Sequence, residues 1–508
     1  MSADEKSPSP AKSAEDIASF IQPVYDIRSF EEDRLRSKFD KRIMPLVCSV
    51  SLCFLDRVNV GFASVAGLQK SLGLEGVQYN IGLTCFYTTA AVFSSPNNLL
   101  GKHFGMGRWL AGCTLGFGIC CMCSAFVRNY GEFCLVRTLL GICEGGVLPG
   151  IAFLLSKFYR RQELTYRHVF DPFCTLVNFM IFSGVLGPVL ASQNIGAAVG
   201  GLIASGILKI DHIGSLKSWR NIFLIEGLIT TVVAIGVFIL VVDSPIQATW
   251  LTEDEKILAV RRLESEYPAV NEAAQHTRKQ TIRAGLLNIN AWLVALAFFF
   301  INVALQGAAV FLPTIIATLF PEKTAIQKQL LSVPPYFLGA IVQITSPYIS
   351  MRMDIRSPFM IFHACVGAIA YAILVGSKSL HARYAACFLV AAGPFTFGTF
   401  SHGLVAINTS PDPTRVVALG VLSSMGQLGG IVSTWTYVAS DAPGYHRGNT
   451  LNLAGMIAVI VLIVGTMVHM KWENAQRDHG KRDYRLNGLT PIEESQLGHR
   501  HPKFRYKI

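Results

Sequence analysis

An all-α membrane protein of twelve transmembrane helices, arranged as two six-helix bundles, is the fold class this sequence predicts. Three observations carry it. Hydrophobic residues make up 51% of the 508 and charged residues only 15%, against about 25% charged in soluble domains. Apolar stretches of about 18–25 residues recur, long enough for helices crossing a ~30 Å hydrocarbon core. The recurrence is interrupted near the middle by a charged stretch at 243–288, which divides the chain into halves.

The elements follow in order. Residues 1–37 are polar and of mixed charge, with Ser-Pro repeats and no short apolar core before a small-residue cleavage site, so a disordered tail is expected and no removable signal. The first half, 38–242, is expected to hold spans near 43–62, 79–101, 109–127, 132–156, 195–208 with part of the preceding run, and 219–242. In the linker, 243–288, Glu253-Asp254-Glu255-Lys256 and Arg261-Arg262 suggest a short amphipathic helix at the membrane surface. The second half, 289–473, is expected to hold spans near 290–318, 330–350, 358–377, 382–407, 414–439 and 451–470. Residues 474–508, rich in charge, are expected to be a second disordered tail. Lys and Arg in the tails, the linker, Lys157–Arg161 and Arg352–Arg356 suggest that these face the cytoplasm.

One stretch departs from this rhythm. From Val169 to Leu208 the chain is apolar for about 40 residues, too long for one span of about 20. The part near 168–194 is expected not to be a thirteenth crossing, which would invert the second half. A re-entrant segment, one over-long tilted helix, and a stretch translated from an unremoved intron all stay open.

The net charge of +11 lies in tails and loops, which argues for headgroup contact rather than nucleic-acid binding. The 12 cysteines fall mostly inside apolar runs and lack the spacing and His partners of a metal site, so they read as small core residues. No metal or cofactor is expected. No nucleophile–base pair or phosphate loop occurs at suggestive spacing, so an enzyme is not expected.

Two acid–base sets stand inside apolar stretches: Asp56-Arg57, in Phe54-Leu55-Asp56-Arg57-Val58-Asn59, and Arg137 with Glu144, in Val136-Arg137-Thr138-Leu139-Leu140-Gly141-Ile142-Cys143-Glu144-Gly145. A charge at mid-bilayer costs at least ~2.5–3.5 kcal/mol, so such residues face partners or a watery cavity and mark a functional pathway. A titratable carboxylate beside a permanently charged guanidinium, twice, suits movement of an anion together with protons. Arg137 and Glu144 are seven residues apart, two turns and about 10 Å along one helix face. Asn59, Tyr87, Gln306 and Asn408 are further polar groups in predicted spans and candidates for substrate contact. His402 reads as a satisfied core residue. Gly141, Gly145, Gly146 and Gly150, and Gly420, Gly426, Gly429 and Gly430, form small-residue faces for close helix approach.

Several of these segments are similar to one family. Leu55-Asp56-Arg57-Val58-Asn59-Val60-Gly61 resembles the first helix of the anion:cation symporters of the major facilitator superfamily. Tyr79-Asn80-Ile81-Gly82-Leu83-Thr84, Pro96-Asn97-Asn98 and Phe104-Gly105-Met106-Gly107-Arg108-Trp109 resemble its second helix and the following loop. Arg137 to Gly146 with Pro149-Gly150 resembles its fourth helix. Asp243-Ser244-Pro245 and Asp441-Ala442-Pro443-Gly444-Tyr445 resemble the fungal branch, which includes allantoate, nicotinate, pantothenate and biotin permeases. The chain departs from the family pattern at Ala90, at Ser94-Ser95 and at Ser401-His402-Gly403.

The resemblance implies the major facilitator fold, with a central cavity and alternating access. It implies that Asp56 and Glu144 are proton-coupling carboxylates, and that Arg57 and Arg137 pair with them or hold a substrate carboxylate. The expected function is proton-coupled uptake of a small organic anion, by a monomer in the plasma membrane, with protons and lipid as its other partners and no nucleic acid. Export of an anionic metabolite through the same fold, and a membrane sensor that binds without translocating, are the alternatives; intact Asp56 and Glu144 favour transport over sensing.

Overall fold

The computed structural model describes residues 31–32, 34–43, 46, 53–159, 186–210, 212–213, 216–217, 219–264, 283, 285–353, 355–410, 412–488, 494 and 497–508. In the first half, α1 is Cys53–Val65, α2 Gln78–Phe104, α3 Met106–Ser124, α4 Tyr130–Glu144, α5 Val147–Ser156, α6 Leu186–Ile207 and α7 Trp219–Leu240. The linker carries α8, Glu253–Glu264. The second half holds α9 Ile289–Leu319, α10 Ala325–Met353, α11 Ser357–Gly376, α12 Leu380–Ala392, α13 Pro394–Ile407, α14 Asp412–Ser433 and α15 His446–Asp478. The two pairs α4–α5 and α12–α13 are broken single spans, so these helices make twelve crossings in two bundles. A two-stranded hairpin, His212–Ile213 with Leu216–Lys217, joins α6 to α7.

Apolar side chains line the outer faces as well as the core. On α7, Leu228, Val232, Ile235 and Ile239 are exposed while Phe223, Gly227, Thr230 and Ala234 are buried. In water such a stripe would be an aggregation site; here it is the lipid face. The halves meet through α1 against α9, α6 against α10 and α2 against α14.

Both spans broken in the structure were expected as continuous helices. The fourth breaks because Gly146 adopts φ 86°, a left-handed conformation that glycine reaches without steric cost. A side chain at Gly145 or Gly146 would also strike α2, 2.8 Å from the carbonyl oxygens of Ala90 and Ser94 respectively. The carbonyls released at the break are recovered from α2: Asn97 Nδ2 donates to Ile142 O at 2.7 Å and to Gly145 O. The tenth span breaks at Gly393, where the next helix restarts on Pro394, a residue suited to a helix start. The eleventh was expected to reach 439 but ends at Ser433.

Residues 31–32 and 34–43 pack onto the linker and the first bundle. Phe39 packs edge-on against Phe158, Tyr159 and Trp250, and Tyr159 donates to Asp40 at 2.8 Å. Lys38 pairs with Glu255 of α8, and Arg262 lies 3.7 Å from Glu32. The last residues of the first tail are thus helical and docked, where disorder was expected.

The second tail departs further from expectation. α15 runs to Asp478, and residues 497–508 fold back onto the second bundle. Asn474 exchanges two hydrogen bonds of 2.9 Å with the main chain of Tyr506, and Asn408 exchanges two of 2.8 Å with that of Lys507. Arg477 donates to Phe504 O and His499 O, and Arg356 N–H to Ile508 O. Several of the charges that suggested disorder are paired: Arg477, Arg482 and Arg485 converge on Glu473 at 2.7–3.3 Å. Burial alone would push the Glu473 carboxyl up, but the Arg482 hydrogen bond and the three guanidinium charges outweigh it and hold it below the usual carboxylate range.

Residues 160–185 lie outside the described residues, and with them most of the stretch near 168–194; 186–194 belong to α6. The flanks settle the topology. Phe158 and Tyr159 lie on the tail side with Phe39. α6 runs antiparallel to α10: Asn194 bonds Gln343 at 2.9 Å, while Gly201 lies by Val333 and Gln329. α10 ends on the tail side, next to Arg356 and Ile508, so α6 begins there. The chain leaves and re-enters on one side, in keeping with twelve crossings rather than thirteen.

Candidate functional site

The site begins on α1. Residues two apart on a helix face different sides, so Arg57 and Asn59 reach different neighbours. Arg57 turns to α2 and α4. Its Nε donates to Glu144 Oε1 at 2.6 Å, and Nη2 contacts the same oxygen. Its guanidinium lies over the rings of Phe86 at 5.6 Å and Tyr87 at 5.9 Å, contacts worth about 0.5–2 kcal/mol. Arg57 is 8% exposed and Glu144 4%. Removing one member of such a pair strands the other, at about 3–5 kcal/mol.

Glu144 owes its position to the break. It is the last residue of α4, directly before Gly145 and Gly146, so it projects where the helix opens at membrane depth. Interrupted helices of this kind are tolerated in lipid where they line a protein-enclosed site.

Asn59 turns the other way. Its Nδ2 donates to Glu226 Oε2 on α7. Glu226 is 2% exposed. Sequence reasoning missed this carboxylate, although Leu224-Ile225-Glu226-Gly227 carries the same signal of a charge in an apolar run. Arg137, 3% exposed, lies over Phe133 at 5.6 Å and over Phe223 of α7 at 5.5 Å. Phe223 and Glu226 are three residues apart and share a helix face, so Arg137 sits beside the Glu226 edge of α7.

The cluster touches the second half through Tyr87, whose hydroxyl donates to Gln306 Oε1 of α9 at 3.3 Å. On the side opposite the tails the halves are closed. There Asn80 donates to Thr434 O, the Thr84 and Thr434 hydroxyls lie 2.8 Å apart, Gln329 donates to Phe62 O, and Phe311 packs between Tyr79 and Tyr437.

The structure therefore brings together Arg57, Glu144, Asn59, Tyr87 and Gln306, with Arg137 joined through α7. The backbone of Asp56 lies on α1, but its side chain is outside the described residues. Asn408 does not belong to the cluster: it caps α13 on the tail side, and its amide is taken up by Lys507. His402 is a core residue, making an edge contact with Phe298 at 5.1 Å and bonding Gly398 O at 3.0 Å.

Comparison with known proteins identifies the family. Residues 46–466 match the model of the Major Facilitator Superfamily. A high-affinity nicotinic acid transporter of Saccharomyces cerevisiae is 30% identical, over 94% of this chain and 85% of its own length. An uncharacterized transporter of Schizosaccharomyces pombe is 31% identical, over 95% and 92%. A bacterial homolog of the human lysosomal transporter Spinster, crystallised inward-facing and occupied, superposes with a TM-score of 0.58 at 12% identity, over 85% of this chain and 96% of its own. The nucleoside transporter NupG superposes at 0.54 and 14% identity, over 84% and 98%. The chain belongs to the Major Facilitator Superfamily; it is a multi-pass membrane transporter and not an enzyme.

Proposed function

We propose that this superfamily member imports a small carboxylate together with protons by alternating access, as an anion:cation symporter of the plasma membrane. The observation that carries the reading is the buried pair of Arg57 and Glu144, where α4 is broken. With Glu144 ionised, Arg57 is held by it. A proton on Glu144 discharges the carboxylate and releases the guanidinium for the carboxylate of a substrate, which an Arg fork binds with two parallel hydrogen bonds. Anion and proton then enter the membrane as a neutral set, which avoids the charge penalty of ~2.5–3.5 kcal/mol or more. Tyr87 and Gln306 span the two halves at this point, so occupancy on one half is felt by the other. Asp56 is the second proton-coupling carboxylate in this reading, and Arg137 the second arginine. Residues 38–242 and 289–473 are the two rocking bundles, joined by a cytoplasmic linker at 243–288. The nicotinic acid transporter, a relative at 30% identity, supports a carboxylate as cargo.

The test is uptake into vesicles under an imposed proton gradient, with a panel of carboxylates. Glu144→Gln should abolish concentrative uptake, while counterflow, which needs binding and the conformational change but no net proton movement, persists. Concentrative uptake by Glu144→Gln with the wild-type pH profile would refute the coupling role.

A further inference from the structure

One ionisable group of the site has no part in the transport cycle proposed so far. Glu226 lies on α7, eighth in a 22-residue helix, about 10 Å from its end. Its carboxylate accepts from Asn59, two residues from Arg57, and Arg137 stands over Phe223 one turn away. Glu226 and Arg137 therefore meet the same stretch of α7, one turn apart, whereas Glu144 and Arg57 touch directly. The two sets share both α1 and α4, since Arg57 and Asn59 come from the first and Arg137 and Glu144 from the second.

Among the described residues, the surroundings hold few other groups that titrate or carry charge. From α1 come Arg57 and Asn59; from α4, Arg137 and Glu144. From α2, Tyr79 stacks on Phe133 beneath Arg137, with its hydroxyl on Val60 O at 3.2 Å. From α3, Cys121 donates to Phe223 O at 3.8 Å. α6 also packs on α7 and has no ionisable residue anywhere in its sequence.

We propose that Glu226 is a further proton-carrying carboxylate of the transport site, bonded to Asn59 and one helical turn from the ring that Arg137 covers. A proton binds it from the aqueous phase on the side where the site opens and leaves to the aqueous phase on the other side; no other bond changes. When protonated, Glu226 still accepts from Asn59 through its carbonyl oxygen, so helix contact survives the change of charge. Its protonation leaves the positive charge of Arg137 less balanced, and a substrate anion makes up the difference. This rests on the proton-coupled function proposed above and adds one proton to each cycle.

The experiment is the steady-state accumulation of a transported carboxylate, such as nicotinate if the panel identifies it, in proteoliposomes with a fixed pH difference and the membrane potential clamped at zero. Each coupled proton multiplies the ratio by about ten per pH unit. Glu226→Gln, similar in shape but unable to ionise, should lower the proton-to-substrate ratio by one, so accumulation falls about tenfold at a one-unit pH difference. Glu226→Asp, which can still titrate, should restore the wild-type ratio. A wild-type ratio in Glu226→Gln overturns the proposal, and so does a well-folded Glu226→Asp with the same lowered ratio as Glu226→Gln. Absence of any proton dependence in the wild-type protein overturns the coupled function itself, and that is read before either variant is made.

Discussion

Replacing Gly61 by alanine should drive the two bundles apart on the side opposite the tails. Gly61 of α1 lies against α9 of the second half: a Cβ there would fall well inside contact distance of Val310 O and 3.1 Å from Val310 C. The obstacle is backbone on a proline-containing helix, not the end of a flexible side chain, so relief comes from separating the helices. Overpacking of this kind costs about 1–3 kcal/mol. Because the contact exists only where these ends are closed, the cost falls on one state of the transport cycle, and the equilibrium shifts about 5–150-fold toward the state open on that side. The sign is opposite to helix propensity, which favours alanine over glycine by about 0.5–1 kcal/mol. Gly112 of α3, where an added Cβ would meet nothing within 4 Å, is the control and should show only that small gain. The readout is oxidative cross-linking of a Thr84→Cys, Thr434→Cys pair, whose hydroxyls are 2.8 Å apart in the closed arrangement. Cross-linking should slow in Gly61→Ala and stay normal in Gly112→Ala. Equal cross-linking in both variants would refute the reasoning.

Two more outcomes follow from the docked C-terminal segment. Asn408→Ala and Asn474→Ala each remove two hydrogen bonds to consecutive main-chain units, worth about 0.5–1.5 kcal/mol per bond; amide exchange at Tyr506 and Lys507 should accelerate in the double variant, and unchanged exchange would refute the docking. The Glu473 carboxyl is held below its usual range by its arginines, so its stabilisation is present above the ordinary value of about 4.3 and is lost as pH falls through the lower folded-state value. Thermal unfolding in detergent should therefore lose stability on acidification, and Glu473→Gln should flatten that dependence while lowering stability at neutral pH.

Much of the fold was legible in the sequence because a bilayer imposes a harsh rule: apolar runs of fixed length, with few alternatives to a helix. The same rule made Arg57, Arg137 and Glu144 conspicuous, and the fold joined Arg57 to Glu144 across 87 residues. It was weaker at the breaks, since a glycine that lets helices approach and a glycine that turns through positive φ read alike; Gly146 does both. It failed at Asn408 and the second tail for one shared reason. A polar residue near a helix end has two fates, the cavity or the cap, and which applies depends on a partner as remote as Lys507. A basic, acidic and apolar-poor segment looks disordered until Glu473 is seen to gather three of its arginines. Glu226 is the instructive omission. It satisfied the criterion that selected Glu144, with Arg220 six residues before it, but its place beside Asn59 and near Arg137 appears only when α1, α4 and α7 are laid side by side. In a membrane protein, then, every mid-span charge needs a partner before its role is assigned, and the partner is sought across helices rather than along them.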